Sequence, residues 1–323
     1  MADTQHATRN TQHATLRRLA LPAALLIDRL LGEPPDALHP VAWLGQLIGA
    51  LERRAPRDRP LVELGYGAGV AALACGAAIA PAIMVERLLK RHWLGMPLSA
   101  GLLKATFAWQ ALTRAGASVR IALEAEQLDD ARQALRALVS RGTAGLDVAL
   151  LAAAAIESLA ENASDSFVAP LLYYQLLGLP GACAYRAANT LDAMLGYRGR
   201  YEYLGKLPAR LDDALNLAPA RLTALLIVGA AALGGGDAWG AWAAMRRDHG
   251  CTASPNAGYP MSAIAGALGV RLEKVGHYCL NPSGRPPGAA DIRAAERIVS
   301  LALGIAAAIG IVLQGRRGDK VTR

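Results

Sequence analysis

Apolar positions fill most of this chain and gather into runs too long for the amphipathic helices of an ordinary globule. The run LVELGYGAGVAALACGAAIAPAIMV, from Leu61, is long enough to cross a bilayer, which takes about 20 apolar residues. Its Pro81 is tolerable in a membrane helix. The runs LTALLIVGAAALGGG from Leu222 and IVSLALGIAAAIGIVLQ from Ile298 are further spans, while LSAGLLKATFAWQALT from Leu98 is a weaker one because Lys104 interrupts it.

Other stretches are mixed. LALPAALLIDRLLGEPP, from Leu19, predicts a short helix stopped by Gly32 and Pro34-Pro35. LHPVAWLGQLIGALERR predicts an amphipathic helix near the interface. Between Ala115 and Arg141, Ile121, Ala125, Leu128, Leu135 and Leu138 recur at helical spacing, with Glu124, Asp129, Arg132 and Arg136 between them. That predicts one water-facing amphipathic helix. A helix is expected from Leu146 to Pro170, with Pro170 ending or kinking it near Ala169. An apolar run from Leu171 to Ala188 follows, broken by LGLPG, and the polar span from Tyr185 to Ala224 belongs at a membrane face. The pattern predicts an all-α polytopic integral membrane protein with about four or five transmembrane helices plus amphipathic, interfacial ones. Residues 1–15 read as a disordered extension, 16–314 as one helical membrane domain carrying the active site, and 315–323 as a basic tail.

Composition agrees. The 323 residues are 53% hydrophobic and 19% charged, and mean hydropathy is +0.24. The formal charge of +8 fits basic loops against anionic lipid, and it is compatible with anionic substrates. No basic run is interleaved with aromatics, so nucleic acid is not expected as a partner. The basic tail GRRGDKVTR places the C-terminus on the cytoplasmic side of an inner-membrane, multi-pass chain. Cys75, Cys183, Cys251 and Cys279 form no C-x-x-C pair and read as reduced thiols. His6 and His13 lie in a duplicated TQHAT of the polar head.

The candidate chemistry sits in four blocks. In LAAAAIESLAENASD, the residues Glu157, Glu161 and Asp165 are spaced i, i+4, i+8, so all three fall on one helical stripe with Asn162 beside it. Three carboxylates on one face repel one another unless a cation intervenes, and oxygen-rich sites suit Mg²⁺ shared with substrate phosphates. A solvated charged face is the alternative. In RAANTLDAMLGYR, Asn189 and Asp192 share a helix face between Arg186 and Arg198. In ARLDDALNLAPARLTA, Arg210, Asp212, Asp213, Asn216 and Arg221 crowd together, and arginine offers a planar fork to phosphate or carboxylate. In SPNAGYPMSAIAGALGV, Ser254 and Asn256 form a tight loop before a helix started by Pro260, whose small residues Ala263, Gly266 and Ala267 allow close packing. The loop NPSGRPPG, with Asn281, Ser283 and Arg285, reads as solvent-exposed. There is no P-loop: GRYEYLGKL has the wrong spacing and Leu207 after Lys206.

Together, DRLLGEPP…HPVAWLG, ESLAENASD…APLLYY, RAANTLDAMLGYR, ARLDDALNLAPARLTA and SPNAGYPMSAIAGALGV resemble, in order, the signature blocks of the CobD/CbiB cobalamin-biosynthesis family. The resemblance covers about Leu19 to Arg285, with Glu33 standing where many relatives have Asp. It implies an integral membrane enzyme that spends ATP to join adenosylcobyric acid to (R)-1-aminopropan-2-ol phosphate, or to aminopropanol, giving adenosylcobinamide phosphate. An acyl phosphate is the expected intermediate, and other corrinoid-assembly enzymes are possible partners.

On that reading Glu157, Glu161, Asp165 and Asp192 bind Mg²⁺ and nucleotide. Asp212 or Asp213 is the base, with Glu161 also catalytic. Arg29, Arg186, Asn189, Arg198, Arg210, Asn216, Arg221, Ser254 and Asn256 hold phosphates or the corrinoid periphery, and Asp28 lines the same site. The alternatives are a Mg²⁺-dependent membrane prenyl- or alcohol-phosphotransferase, an ion-coupled transporter and a non-catalytic scaffold for corrinoid enzymes. The paired D-x-x-x-D arrangement of the first is absent, and no inverted repeats favour the second.

Overall fold

The computed structural model describes residues 18–57, 59–89, 92–139, 142–197 and 199–321, with side chains to Arg316. The expected disordered head, the end of the basic tail and Arg198 lie outside the described residues. The elements are α1 (18–31), α2 (Pro40–Glu52), α3 (Pro60–Leu89), α4 (Gly95–Lys104), α5 (Trp109–Glu124), α6 (Leu128–Leu135), α7 (Val148–Ala163), α8 (Ala169–Leu195), α9 (Lys206–Gly234), α10 (Ala238–Asp248), α11 (Gly258–Leu268) and α12 (Ala289–Val321), plus a hairpin of β1 (Leu272–Lys274) and β2 (Tyr278–Leu280). The fold is all-α, as the hydrophobic pattern predicts. Among the described residues, four helical stretches are long and apolar enough to cross a membrane: Pro60–Leu89, Val148–Leu195, Lys206–Gly234 and Ala289–Arg316.

Some expectations are corrected. The weaker span at Leu98 is not one, because α4 has 10 residues and stops at Lys104. Lys104 is withdrawn from lipid into ion pairs with Asp28 and Glu33. The single amphipathic helix from Ala115 to Arg141 is two, α5 and α6, separated at Glu126, whose φ of 59° no α-helix accommodates. Within α5 the buried face is not the stripe drawn through Ile121: Val119 is fully buried and Ile121 is 57% exposed. Of the two outcomes expected at Pro170, an end or a kink, the helix does not stop, but its α-turns give way just before Ala169. A π-helical turn, Ser164–Val168, precedes it, and the chain runs on into α8. Pro lacks the N–H that an α-turn would bond to a carbonyl, and a wider turn is one way of absorbing that loss.

Contacts divide the chain into two compact units, each discontinuous in sequence. The first comprises the residues up to Ala108, Ala169–Leu215 and the chain from Ala307. Its core gathers Ile48 of α2, Val70, Ala71 and Ala74 of α3, Leu191 and Leu195 of α8, and Leu204. Gly67 is required there, because a Cβ would run into the Leu204 carbonyl. The expected break at LGLPG is real: Gly178 has φ 74° and ψ −162° inside α8. It frees the Leu179 N–H, which donates to Glu86 Oε1 of α3 at 3.0 Å. A carboxylate in a candidate span therefore caps a broken helix.

The second unit comprises Trp109–Val168 and Asn216–Ala306. α7 lies at its centre, buried on all sides from Leu151 to Ala160, and packs on α5, α6, α11 and β1. A helix apolar all round is a buried helix, and alanine lets its neighbours approach closely. The small-residue helix α11 packs on α10 with Gly266 against the Gly240 carbonyl, as its Ala/Gly pattern predicts. The loop NPSGRPPG is largely solvent-exposed, as expected, with Pro282, Ser283, Arg285 and Pro286 exposed, but it is tied down by its polar groups. Arg285 forms a bidentate pair with Asp291 at 2.8 and 2.6 Å. Asn281 accepts from Arg247 at 3.1 Å, and its backbone N–H donates to Asp248 at 2.8 Å.

Candidate functional site

In the first unit, α8 and α9 bring three predicted residues together. Arg186 Nη1 donates to Asn189 Oδ1 at 3.4 Å, and Asn189 Nδ2 donates to Asp212 Oδ1 at 3.4 Å. Asp212 is 8% exposed, while Asp213 and Asp192 are half-buried. A buried acid holding an amide, which in turn accepts from a guanidinium, is a polar series that fixes all three side chains. Arg210 is exposed and faces Asp213 at 3.8 Å, the weaker kind of surface pair. Gly196 abuts the Asp192 carboxylate, where a Cβ would collide.

Arg186 also borders an apolar hollow of about 290 Å³ between α2, α3, α4 and α8, floored by Ala77, Ala78 and Pro81 and rimmed by Pro40, Val41 and Trp43. Beside that rim is a cluster that sequence reasoning noticed only in part. Lys104 Nζ lies 3.0 Å from Asp28, pairs with Glu33, and donates to the Phe107 carbonyl at 3.2 Å. His39 lies 3.0 Å from Glu33, and its Nδ1 accepts from Val41 N–H at the start of α2. Burial pushes the Glu33 carboxyl up, but the hydrogen bonds from His39 and Lys104 outweigh it and hold it below the usual carboxylate range. Arg29, predicted beside Asp28, is exposed. The signal for Lys104 was present as a lone cation in an apolar run, but its partners lie some seventy positions earlier.

In the second unit, α7 and the π-turn carry the predicted carboxylate stripe. Glu157 is 4% exposed, and Glu161 and Asp165 are half-buried. Asp165 falls inside the π-turn, so its direction departs from the straight α-helical stripe on which the i+8 spacing placed it. Among the described residues, no three His, Cys, Asp or Glu side chains converge as a metal cluster.

A second group forms around Arg221. Its Nη1 donates to Asn256 Oδ1 at 3.3 Å and to the Leu217 carbonyl at 2.7 Å, and its guanidinium lies 4.1 Å from the centre of the Tyr259 ring. His249 stacks on the same ring at 4.4 Å. Ser254 Oγ accepts from the Asn256 and Ala257 N–H groups, fixing the loop before α11. Asn216 is 2% exposed. Sequence reasoning placed Arg221 in one block and Ser254 and Asn256 in another, and missed Tyr259 and His249, whose part depends on the loop's closure. A guanidinium ordered on an aromatic face, next to a buried amide, has the planar donor geometry that suits phosphate or carboxylate.

A family model described as CobD/Cbib protein matches residues 21–302. The chain is 44% identical over 265 residues to the cobalamin biosynthesis protein CobD of Dehalococcoides mccartyi, covering 81% of this chain and 86% of the relative. It is 43% identical over 276 residues to the probable cobalamin biosynthesis protein CobD of Thermococcus kodakarensis, covering 85% and 88%. With the cobalamin biosynthesis protein CobD of Geobacter metallireducens it shares 39% over 275 residues, 81% of this chain and 83% of that one. No solved structure matches.

Proposed function

The chain belongs to the CobD/CbiB family of cobalamin-biosynthesis proteins, and from that membership we propose that it is an ATP-dependent amide ligase joining adenosylcobyric acid to aminopropanol phosphate or aminopropanol. A carboxylate resists amines. Transfer of the γ-phosphoryl group of ATP to a carboxylate oxygen gives an acyl phosphate and ADP. The amine nitrogen then attacks the acyl carbon, phosphate leaves, and the nitrogen loses a proton to a base.

The observation that carries this reading is the hydrogen-bonded series Arg186–Asn189–Asp212, which puts a phosphate- or carboxylate-binding cation and a buried acid in one network. Asp212, or its half-buried neighbour Asp213, is the candidate proton acceptor. Arg221, ordered on Tyr259, is a candidate for a nucleotide phosphate. Among the described residues, the carboxylates do not make an all-protein metal cage. A Mg²⁺ that keeps its waters and shares phosphate oxygens needs only one or two of them, and the half-buried Glu161 and Asp165 fit that demand. Such an ion, when bound, neutralises charge on the transferring phosphoryl group.

The test uses protein purified in detergent with adenosylcobyric acid, aminopropanol phosphate and Mg-ATP. The expected result is a corrinoid mass gain matching the amide, with matched ADP release, and loss of at least about a hundredfold in rate for Glu161→Gln, within the usual cost of removing an electrostatic catalytic group. Corrinoid binding without amide formation would support a scaffold instead.

A further inference from the structure

We propose that the first unit carries a binding site for the phosphate of an anionic membrane lipid, at the N-terminal end of α3. Arg57 Nη2 and Arg200 Nη2 converge on the same oxygen, Glu52 Oε1, at 2.8 and 3.1 Å. Both guanidiniums also lie over the Tyr201 ring, at 5.8 and 5.3 Å from its centre. One carboxylate and one aromatic face thus hold two cations side by side. Glu52 is shared between them, and the cost of restraining two long side chains is met before any ligand arrives. Arg57 is further fixed by the Arg200 carbonyl at 3.3 Å and by Glu63 at 3.4 Å.

Beside this pair is a hollow of about 320 Å³ lined by Arg57, Arg59 and Arg200, by Pro60 at the helix start, and by Glu63 and Glu202. Arg59 is exposed, and this end of the unit carries five cations, Arg53, Arg54, Arg57, Arg59 and Arg200, against the three acids Glu52, Glu63 and Glu202 among the described residues. Arg53 and Arg54 add exposed charge at the end of α2.

Position selects the lipid. The apolar window of α3 is only 17% buried, against 39–56% for the other three candidate spans, so α3 presents the most surface to acyl chains. Leu61 and Val62, which follow the hollow directly, are 84% and 50% exposed, and Leu207 is 41% exposed. Tyr203 lines the hollow itself and is 39% exposed, the amphipathic side chain favoured at a headgroup boundary. Basic pockets at the ends of transmembrane helices bind anionic headgroups. A soluble phosphate would use the arginines and leave those apolar neighbours uncovered.

The test is native mass spectrometry of delipidated, detergent-purified protein titrated with phosphatidylglycerol, phosphatidylcholine or inorganic phosphate. Preferential retention of phosphatidylglycerol is expected. Arg59→Gln, which breaks no ion pair among the described residues, should weaken that retention about fivefold, the effect of about one basic residue near a headgroup. The double variant Arg57→Gln/Arg200→Gln should weaken it further, and Glu202→Gln should strengthen it. Equal retention of the two lipids, or unchanged retention in Arg59→Gln, overturns the proposal. Phosphate binding without lipid retention overturns it in favour of a soluble ligand. Amide formation by Arg59→Gln at the wild-type rate is expected, which separates this site from the ligase reading.

Discussion

Lys104 Nζ lies 3.0 Å from Asp28 Oδ1, and their side chains are 3% and 4% exposed. Glu33 is the second acid on the same ammonium. Removing one member of a buried ion pair leaves the rest uncompensated, which costs about 3–5 kcal/mol. Lys104→Met should therefore lower the unfolding temperature sharply. Lys104→Met/Asp28→Leu should recover part of the loss, since replacing a buried pair by apolar groups is often neutral. Thermal unfolding of both variants in one detergent checks this.

Glu33 gives a pH dependence of known sign. Its folded carboxyl is held below its ordinary value, so the unfolded chain takes up the proton first as pH falls. Its contribution to stability is complete above the unfolded value near 4.5 and is lost as pH drops through the folded one. The unfolding temperature should fall across that window, and Glu33→Gln should flatten this part of the curve.

Close helix approach in the second unit depends on glycine. A Cβ at Gly266 would collide with the Gly240 carbonyl and crowd Ala244. Gly266→Val should cost at least about 1–3 kcal/mol by overpacking, whereas Gly269→Asn, at a helix end with φ 63°, should cost far less. Chemical denaturation of the two proteins distinguishes them.

Arg221 should not tolerate lysine. Its planar group lies on Tyr259 while donating to Asn256 and the Leu217 carbonyl, a geometry an ammonium does not reproduce. If it holds a nucleotide phosphate, Arg221→Lys should raise the KM for ATP about tenfold, near the 1–2 kcal/mol of such a contact, with a smaller change in kcat. An unchanged KM would remove Arg221 from the nucleotide site.

Much of this was written in local pattern. Long apolar runs leave a chain little choice but to form helices, because a backbone in lipid must bond to itself. The spans at Leu61, Leu222 and Ile298 are therefore legible without tertiary information, and so is the LGLPG break at Gly178. The ordered blocks around Glu161, Asn189, Asp212 and Pro260 likewise identify the family.

What the sequence could not supply depends on neighbours distant along the chain. It marked Lys104 as a flaw in a span, because its partners Asp28 and Glu33 lie on other elements. It drew Ala115 to Arg141 as one helix, because periodicity carries no warning of the positive φ at Glu126. It put Glu157, Glu161 and Asp165 on one straight stripe, because i+4 spacing assumes α-geometry and the π-turn before Pro170 does not keep it. Helix formation follows from local hydrophobicity and hydrogen bonding. Which charges a helix buries, and against what, follows from packing, which only the folded chain decides.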